Sequence, residues 1–410
     1  MNVFAIISII ISLSSLLSFI NHKWLKLPVT IGVMVLSLTI GLSLKAIFHF
    51  YPDIAPEIKI QLNEFDFSSF VLDIILCFLL FAGALHIKLK ELKIARLTVL
   101  SYATIGVLIS TFLIATAGYF VFPIFGYEIN YIVCLLFGAL ISPTDPIAVI
   151  GILKKYSVPK KLEVEVVGES LFNDGVGVVV FTIIYSLAQT GIDSFTFLNF
   201  AHVFSLEVFG GLGIGLIIGY IGFLLMKAID HYQTEVLISL ALVMGGYQIA
   251  NTIHASGPLA MVVAGLIIGN KGKEKAMSDI TAEYVDKFWE LIDEICNTIL
   301  FVLIGLQVFL IPLKTGYILI SLFFIVIVLC SRFISLVPTF LLFNRKDPKK
   351  LLGLSILTWG GLRGGISIAL ALSLNKKVEH SQLILVITYA IVLFSLVVQG
   401  LSIKNLLKKY

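Results

Sequence analysis

Apolar runs near the length that crosses a bilayer follow one another along the whole chain. They fall at about 2–20, 27–49, 68–85, 94–122, 130–153, 164–190, 197–226, 233–252, 256–270, 288–311, 316–343, 351–374 and 381–403. A helix spans the hydrocarbon with roughly 20 residues. Thirteen such runs predict an all-α polytopic membrane protein with about 13 transmembrane helices. The run at 256–270 is short, and the one at 94–122 is long enough to tilt. Only 13% of residues are charged, about half the share of a soluble domain, and no soluble domain is expected. One amphipathic stretch, Lys271 to Lys287, is expected along the membrane surface. Residues 1–20 lack a basic segment before them and a small-x-small cleavage site after them, and read as a retained first helix. Cys77, Cys134, Cys296 and Cys330 all lie in apolar runs without paired spacing, so neither a disulfide framework nor a zinc site is indicated.

Charge in the loops tests the helix count. With the N-terminus outside, 22 of the 29 basic residues fall in inner loops and five (Lys45, Lys59, Lys314, Lys376 and Lys377) in outer ones. The inner set includes Lys88, Lys154, Lys155, Lys160, Arg345, Lys346, Lys349 and Lys409. A miscounted helix would scramble this alternation, so the C-terminus is expected in the cytoplasm of a multi-pass cell-membrane protein. The two basic residues left, Arg332 and Arg363, lie inside spans and need partners. The acids available at that depth are Asp73, Asp145, Glu169 and Asp174; Glu290, Asp293 and Glu294 sit near the inner end of their helix and read as a solvated or gate-side cluster.

Polar chemistry is concentrated at Gly168-Glu169-Ser170-Leu171-Phe172-Asn173-Asp174-Gly175, at the start of the sixth span. At about 100° per residue, Glu169 and Asn173 share a helix face and Ser170 and Asp174 lie one step round, all within roughly 140° of arc. Charge in hydrocarbon costs at least a few kcal/mol per residue, so a cluster marks a function or a structural ion pair. The extra amide and hydroxyl favour function.

Two other spans are interrupted. In Ser142-Pro143-Thr144-Asp145-Pro146, neither proline has an N–H, so the carbonyls of Ala139 and Ser142 lose their helical donors. Such breaks are tolerated in a membrane only where they line a cavity or are covered by protein, and transporters build cation sites from them. A simple proline kink with an incidental Asp is the alternative. In the twelfth span, Gly360, Gly361, Gly364 and Gly365 surround Arg363 and weaken the helix. The offset of seven between the fifth and twelfth spans fits two inverted six-helix repeats joined by a linking helix.

Ser142-Pro143-Thr144-Asp145-Pro146-Ile147-Ala148-Val149, Gly168 to Asp174, Phe301-Val302-Leu303-Ile304-Gly305-Leu306 and Gly360-Gly361-Leu362-Arg363-Gly364, in that order, resemble the sodium/proton exchangers of the NhaP/NHE type. The likeness spans nearly the whole membrane domain. It implies electroneutral exchange of one monovalent cation, Na+ or Li+, for one proton, and a role in pH homeostasis. It also implies a homodimer in which a mobile core moves against a dimerisation scaffold and the fifth and twelfth helices cross. On that picture residues 1–92 and 231–312 hold scaffold helices 1–3 and 8–10, residues 93–190 and 313–410 hold core helices 4–6 and 11–13, and residues 191–230 hold linking helix 7. Asp174 would bind the ion and carry the proton, with Asp145, Thr144 and Ser170 as further sodium ligands. Glu169 would pair with Arg332, Arg363 would stabilise the crossing, and Asn173 separates this Asn-Asp pair from relatives with two aspartates. Some relatives carry an acid near Ala82 that is absent here, and Asp73 does not replace it on spacing. The chain ends almost at its last helix, which suggests a prokaryotic exchanger without the regulatory tail of animal members.

The residues suggest the same mechanism. Sodium is a hard cation that takes oxygen ligands, and Asp174, Asp145, Ser170, Thr144 and freed carbonyls offer them. Proton and sodium would compete for Asp174, and either would neutralise it, so that only an occupied core crosses the hydrophobic barrier cheaply. No Gly-x4-Gly-Lys-Ser/Thr motif is present, and no cofactor is implied beyond the transported ions. A K+/H+ antiporter of the same fold stays open. An intramembrane aspartyl protease, in which Asp145 and Asp174 form the pair, also stays open, although it leaves the arginines unexplained. A channel fits poorly with Asp174 close to Arg332.

Overall fold

The structure, a computed structural model, describes residues 3–50, 66–146, 149–150, 152–153, 156, 158–190, 197–312, 314–343, 350–374 and 378–408. Ile147 and Ala148 of the fifth-span motif lie outside the described residues, as do Lys59, Lys154, Lys155, Arg345, Lys346, Lys349, Lys376, Lys377 and Lys409 of the charge pattern.

The described elements are helical. They are α1 (Val3–Ile20), α2 (Val29–Phe50), α3 (Phe67–His86), α4 (Leu89–Phe125), α5 (Tyr131–Ile141), α6 (Lys160–Thr190) and α7 (197–227). There follow α8 (Tyr232–Thr252), α9 (Gly257–Ile267), α10 (Asp279–Gln307), α11 (Thr315–Phe343), α12 (Lys350–Gly360), α13 (Gly365–Ser373) and α14 (Ser381–Leu407). Helix therefore falls on every apolar run. Among the described residues, α1, α2, α3, α4, α6, α7, α11 and α14 are long and apolar enough to cross a membrane. In the fifth span α5 ends at Ile141, with helical residues again at 149–150 and 152–153, and the twelfth is split into α12 and α13, because prolines and glycines interrupt them there.

Polar caps set several helix starts. The side chains of Asn130, Ser256 and Ser278 accept from the backbone N–H groups of Ile132, Leu259 and Thr281, satisfying donors that a helix start leaves open. The cap at Ser278 corrects one expectation. The stretch from Lys271 to Lys287 is not a separate surface segment. Its second part, from Asp279, forms the first turns of α10, which runs 29 residues without a break. Trp289, fully buried, ties this helix to α8 through a 2.9 Å hydrogen bond from its indole N–H to the Ser239 hydroxyl.

Two packed regions flank the site. In one, α4, α5, α11 and α14 meet around Phe122, Phe137, Phe324 and Ile387. In the other, α3, α8, α9 and α10 meet around Phe81, Val243, Met261 and Trp289. Both are dense aromatic and aliphatic interiors. α6 packs on α4 and α5 and also touches α9, so its polar face sits where the regions adjoin.

Candidate functional site

The two interrupted helices meet. Asp145 and Leu362 form an isolated antiparallel bridge, with the Asp145 N–H donating to the Leu362 carbonyl at 2.7 Å. Two further backbone groups at the twelfth-span break are also taken up. The Arg363 N–H donates to the Ser395 hydroxyl at 2.8 Å, and the Gln399 amide donates to the Trp359 carbonyl at 3.1 Å. Both partners come from a π-turn in α14, Ser395–Gln399. Buried backbone must be paired somewhere, and here the last helix supplies the partners.

Each half-helix end at the crossing also meets a charge of the right sign. Arg363 lies beyond the C-terminal end of α5 and donates through Nη1 to the carbonyls of Ser142 and of Pro143, the latter at 3.0 Å. Asp145 lies against Gly364, the residue that precedes α13. A cation at a helix C-terminus and an anion at a helix N-terminus are both favourable. Gly364 is what allows the approach, since a Cβ there would sit 2.4 Å from Asp145 Oδ2. The Ser142 carbonyl, freed by Pro146, was expected to be open to a cation; Arg363 occupies it instead.

Glu169 and Arg332 pair inside the protein. Their side chains are 2% and 5% exposed, and the contact is two-pronged: Nη1 to Oε1, and Nη2 to Oε2 at 2.8 Å. Arg332 Nη2 also donates to the Leu357 carbonyl at 3.3 Å. Gly361 makes room for this guanidinium, since a Cβ there would lie 2.8 Å from Nε. Arg363, the other arginine within a span, does not share this pair; it is turned to the fifth-span carbonyls.

Asp174, Asp145 and Ser170 line one cavity of about 120 Å³, walled otherwise by α3, α10 and α13 residues such as Leu80, Leu300 and Ile366. Asp174 and Asp145 are near enough for their charges to repel. Among the described residues, no Lys, Arg or His lines this cavity. Nor do three Asp, Glu, His or Cys side chains converge into a resident metal site. What the walls offer is a small pocket of anionic and hydroxyl oxygen suited to a hard, transient cation.

Thr144 and Asn173 hold the site from behind. The Asn173 amide donates to the Thr144 hydroxyl at 2.7 Å and accepts from the Thr144 N–H at 3.3 Å, while the Ser170 hydroxyl donates to the Thr144 carbonyl. Thr144 was expected among the ligands; its oxygens are engaged in this clamp and do not line the cavity. Asp73 is exposed and away from the cavity.

On the sequence, Asp293 reads with Glu290 and Glu294 as a solvated or gate-side cluster; the structure separates the three. Glu290 and Glu294 are exposed, whereas Asp293 turns inward and lines the cavity with Asp145 and Asp174. The signal was available: Asp293 stands four residues after Trp289 and seven before Leu300, on the stripe that helical spacing assigns to the interior. A smaller pocket of about 80 Å³ adjoins the cavity through the shared residues Ile87 and Val167, and is charged: His86, Lys88, Glu91, Lys160 and Glu163 line it.

Comparison with known proteins bears on this arrangement. A family model described as "Sodium/hydrogen exchanger, transmembrane" matches residues 9–409. The Na(+)/H(+) antiporter NhaP of Pseudomonas aeruginosa is 46% identical, over 98% of this chain and 96% of its own length. The Na(+)/H(+) antiporter NhaH of Halobacillus dabanensis is 35% identical, over 94% and 93%. The solved structure of the sodium proton antiporter MjNhaP1 from Methanocaldococcus jannaschii superimposes with a TM-score of 0.75, covering 99% of this chain and 98% of that one at 21% identity, which shows a shared fold.

Proposed function

The chain belongs to the sodium/hydrogen exchanger family, and from that premise we propose how it exchanges Na+ for H+ across the membrane. It is a multi-pass membrane transporter, and its family is one of transporters rather than enzymes. Asp174 takes either a sodium ion or a proton, and Asp145 and Ser170 add oxygen to the sodium. Thr144 and Asn173 hold the broken fifth helix in register, and Arg363 neutralises the helix end beside it. Glu169 and Arg332 cancel each other's charge and stay paired throughout the cycle.

One observation carries this reading. Three carboxylates, Asp145, Asp174 and Asp293, face a cavity with no basic residue on its wall, while both membrane arginines are engaged elsewhere. An empty site therefore keeps net negative charge in a medium where charge is costly. Sodium or a proton on Asp174 lowers that charge by the same amount, so either occupant permits the crossing and an empty site does not. Exchange is one for one and electroneutral. The α4–α6 and α11–α14 region is the moving core, the α1–α3 and α8–α10 region is the scaffold and dimer face, and α7 links them. The N-terminus lies outside the cell and the C-terminus in the cytoplasm.

The test is proton flux in proteoliposomes with Na+, Li+ and K+ gradients applied in turn. Flux driven by Na+ and Li+ but not K+ is expected. Flux driven by K+ alone, or none with any cation, would overturn the proposal.

A further inference from the structure

The cavity of Asp174 and the charged pocket beside it share two lining residues, Ile87 and Val167. Both are half-buried aliphatic side chains, so two spaces that hold charge are separated by an apolar neck. An ion that moves from the charged pocket to Asp174 by this route passes between them. The two lips of the neck come from different parts of the molecule. Val167 stands on α6, about one turn before Ser170. Ile87 lies in the connection between α3 and α4, where the backbone is extended, with ψ 124° at Ile87 and 114° at Lys88.

A second observation concerns how the Ile87 lip is held. Asn270, just beyond α9, grips this connection on both sides. Its amide nitrogen donates to the Ile87 carbonyl at 2.9 Å, and its amide oxygen accepts from the Leu89 N–H at 2.8 Å. The same nitrogen donates to the Leu266 carbonyl at 3.0 Å, which ties the side chain back to α9. Lys273 adds a bond to the Leu85 carbonyl at 3.3 Å. Gly269 makes the approach possible, since a Cβ there would overlap the Leu85 carbonyl oxygen. An extended link leaves backbone groups to be paired from outside, and here one side chain pairs two of them. Because α4 begins at Leu89, the grip sits where the chain leaves α3 for α4.

We propose that Ile87 and Val167 form a gate between Asp174 and the charged pocket, and that Asn270 is its positioning residue. This rests on the exchange reading above, with α3 and α9 in the scaffold and α6 in the core. Asn270 then holds the Ile87 lip on the scaffold, while the Val167 lip travels with α6. The lips slide past each other when the core crosses. An apolar constriction closes by excluding water, and an ion without its water enters such a place only at high cost. Coupling requires that the cavity open to one side at a time, so the gate is shut whenever Asp174 faces the other side.

The experiment uses the full chain and separates rate from affinity. Val167→Phe fills the neck without removing an ion ligand. Its sodium-driven proton flux in proteoliposomes, at saturating Na+, is expected to fall by about tenfold or more. The Na+ concentration that gives half-maximal thermal stabilisation of the detergent-solubilised protein is expected to stay within about twofold of wild type, since a narrower path slows entry and exit alike. If Val167→Phe does not fold, Ile87→Phe on the facing lip carries the same expectation. Asn270→Ala frees the Ile87 lip. Protons are then expected to leak down an imposed pH gradient without Na+ or Li+, several-fold faster than in wild type. A purely structural role would lower the melting temperature without opening a leak. Wild-type turnover in a folded phenylalanine variant would overturn the gate, as would a loss of Na+ affinity that matches the loss of turnover. A folded Asn270→Ala protein as tight to protons as wild type would overturn the positioning role. Those results leave the exchange reading standing, which falls only if the wild-type protein itself shows no sodium-driven flux.

Discussion

The backbone N–H of Asp145 donates to the carbonyl of Leu362 at 2.7 Å, so the breaks in two different helices hold each other in place. The carboxylate of Asp145 is fixed by the same contact, pressed against Gly364. Gly364 has φ −115°, a conformation alanine adopts without strain. Gly364→Ala therefore tests the approach alone. The added methyl would meet Asp145 Oδ2 at 2.4 Å and must displace it. We expect a folded protein whose apparent KM for sodium rises by roughly tenfold or more. A variant with unchanged sodium affinity would show that the position of this carboxylate does not matter.

Glu169 and Arg332 are a closed pair, and removing one partner of such a pair costs about 3–5 kcal/mol because the other charge is stranded. Glu169→Ala and Arg332→Ala are each expected to lower thermal stability more than Asp174→Ala does. Their effects should be strongly non-additive in a double-mutant cycle. Additive effects would mean that the two side chains act separately.

Thr144 and Ser170 divide into different roles, which substitution separates. Thr144→Val removes the acceptor of the 2.7 Å bond from Asn173 and strands a buried amide. A loss of about 1–3 kcal/mol in stability is expected, with sodium affinity changed little. Ser170→Ala removes an oxygen from the cavity wall and is expected to weaken sodium binding with a smaller stability change. The reverse pattern, read from melting curves and sodium titrations, would place Thr144 among the cation ligands.

Much of this was legible in the sequence because membrane depth makes polar residues conspicuous. Glu169, Asp174 and Arg332 stand out against apolar runs, and the prolines and glycines at 143, 146, 360 and 364 mark where helices must break. Partners were harder to read. Arg332 and Arg363 were both able to meet Glu169 on sequence grounds, and only packing shows that Arg363 goes to the carbonyls of Ser142 and Pro143. Thr144 was placed among the ligands by the family resemblance and as a source of oxygen; its oxygens accept from Ser170 and Asn173. Asp293 was grouped with Glu290 and Glu294 by proximity along the chain, although a helix turns neighbouring residues to different surroundings.

In the proposed mechanism Asp174 is the group on which exchange depends. Asp174→Asn and Asp174→Ala are expected to abolish sodium-driven proton flux while leaving the protein folded, since the side chain's role is to bind and release rather than to pair. Wild-type flux in either variant would remove Asp174 from the mechanism.

Competition of sodium and protons for that carboxylate is tested most directly by the pH dependence of the sodium KM. Sodium-driven proton flux is measured in proteoliposomes at several pH values, with the membrane potential clamped by potassium and valinomycin. If one carboxylate takes either ion, the apparent KM for sodium rises as pH falls. The maximal rate changes less on the acidic side, because excess sodium displaces the proton, and the rate does not follow the imposed voltage. A sodium KM independent of pH would contradict the shared site, and a rate that follows voltage would contradict one-for-one exchange.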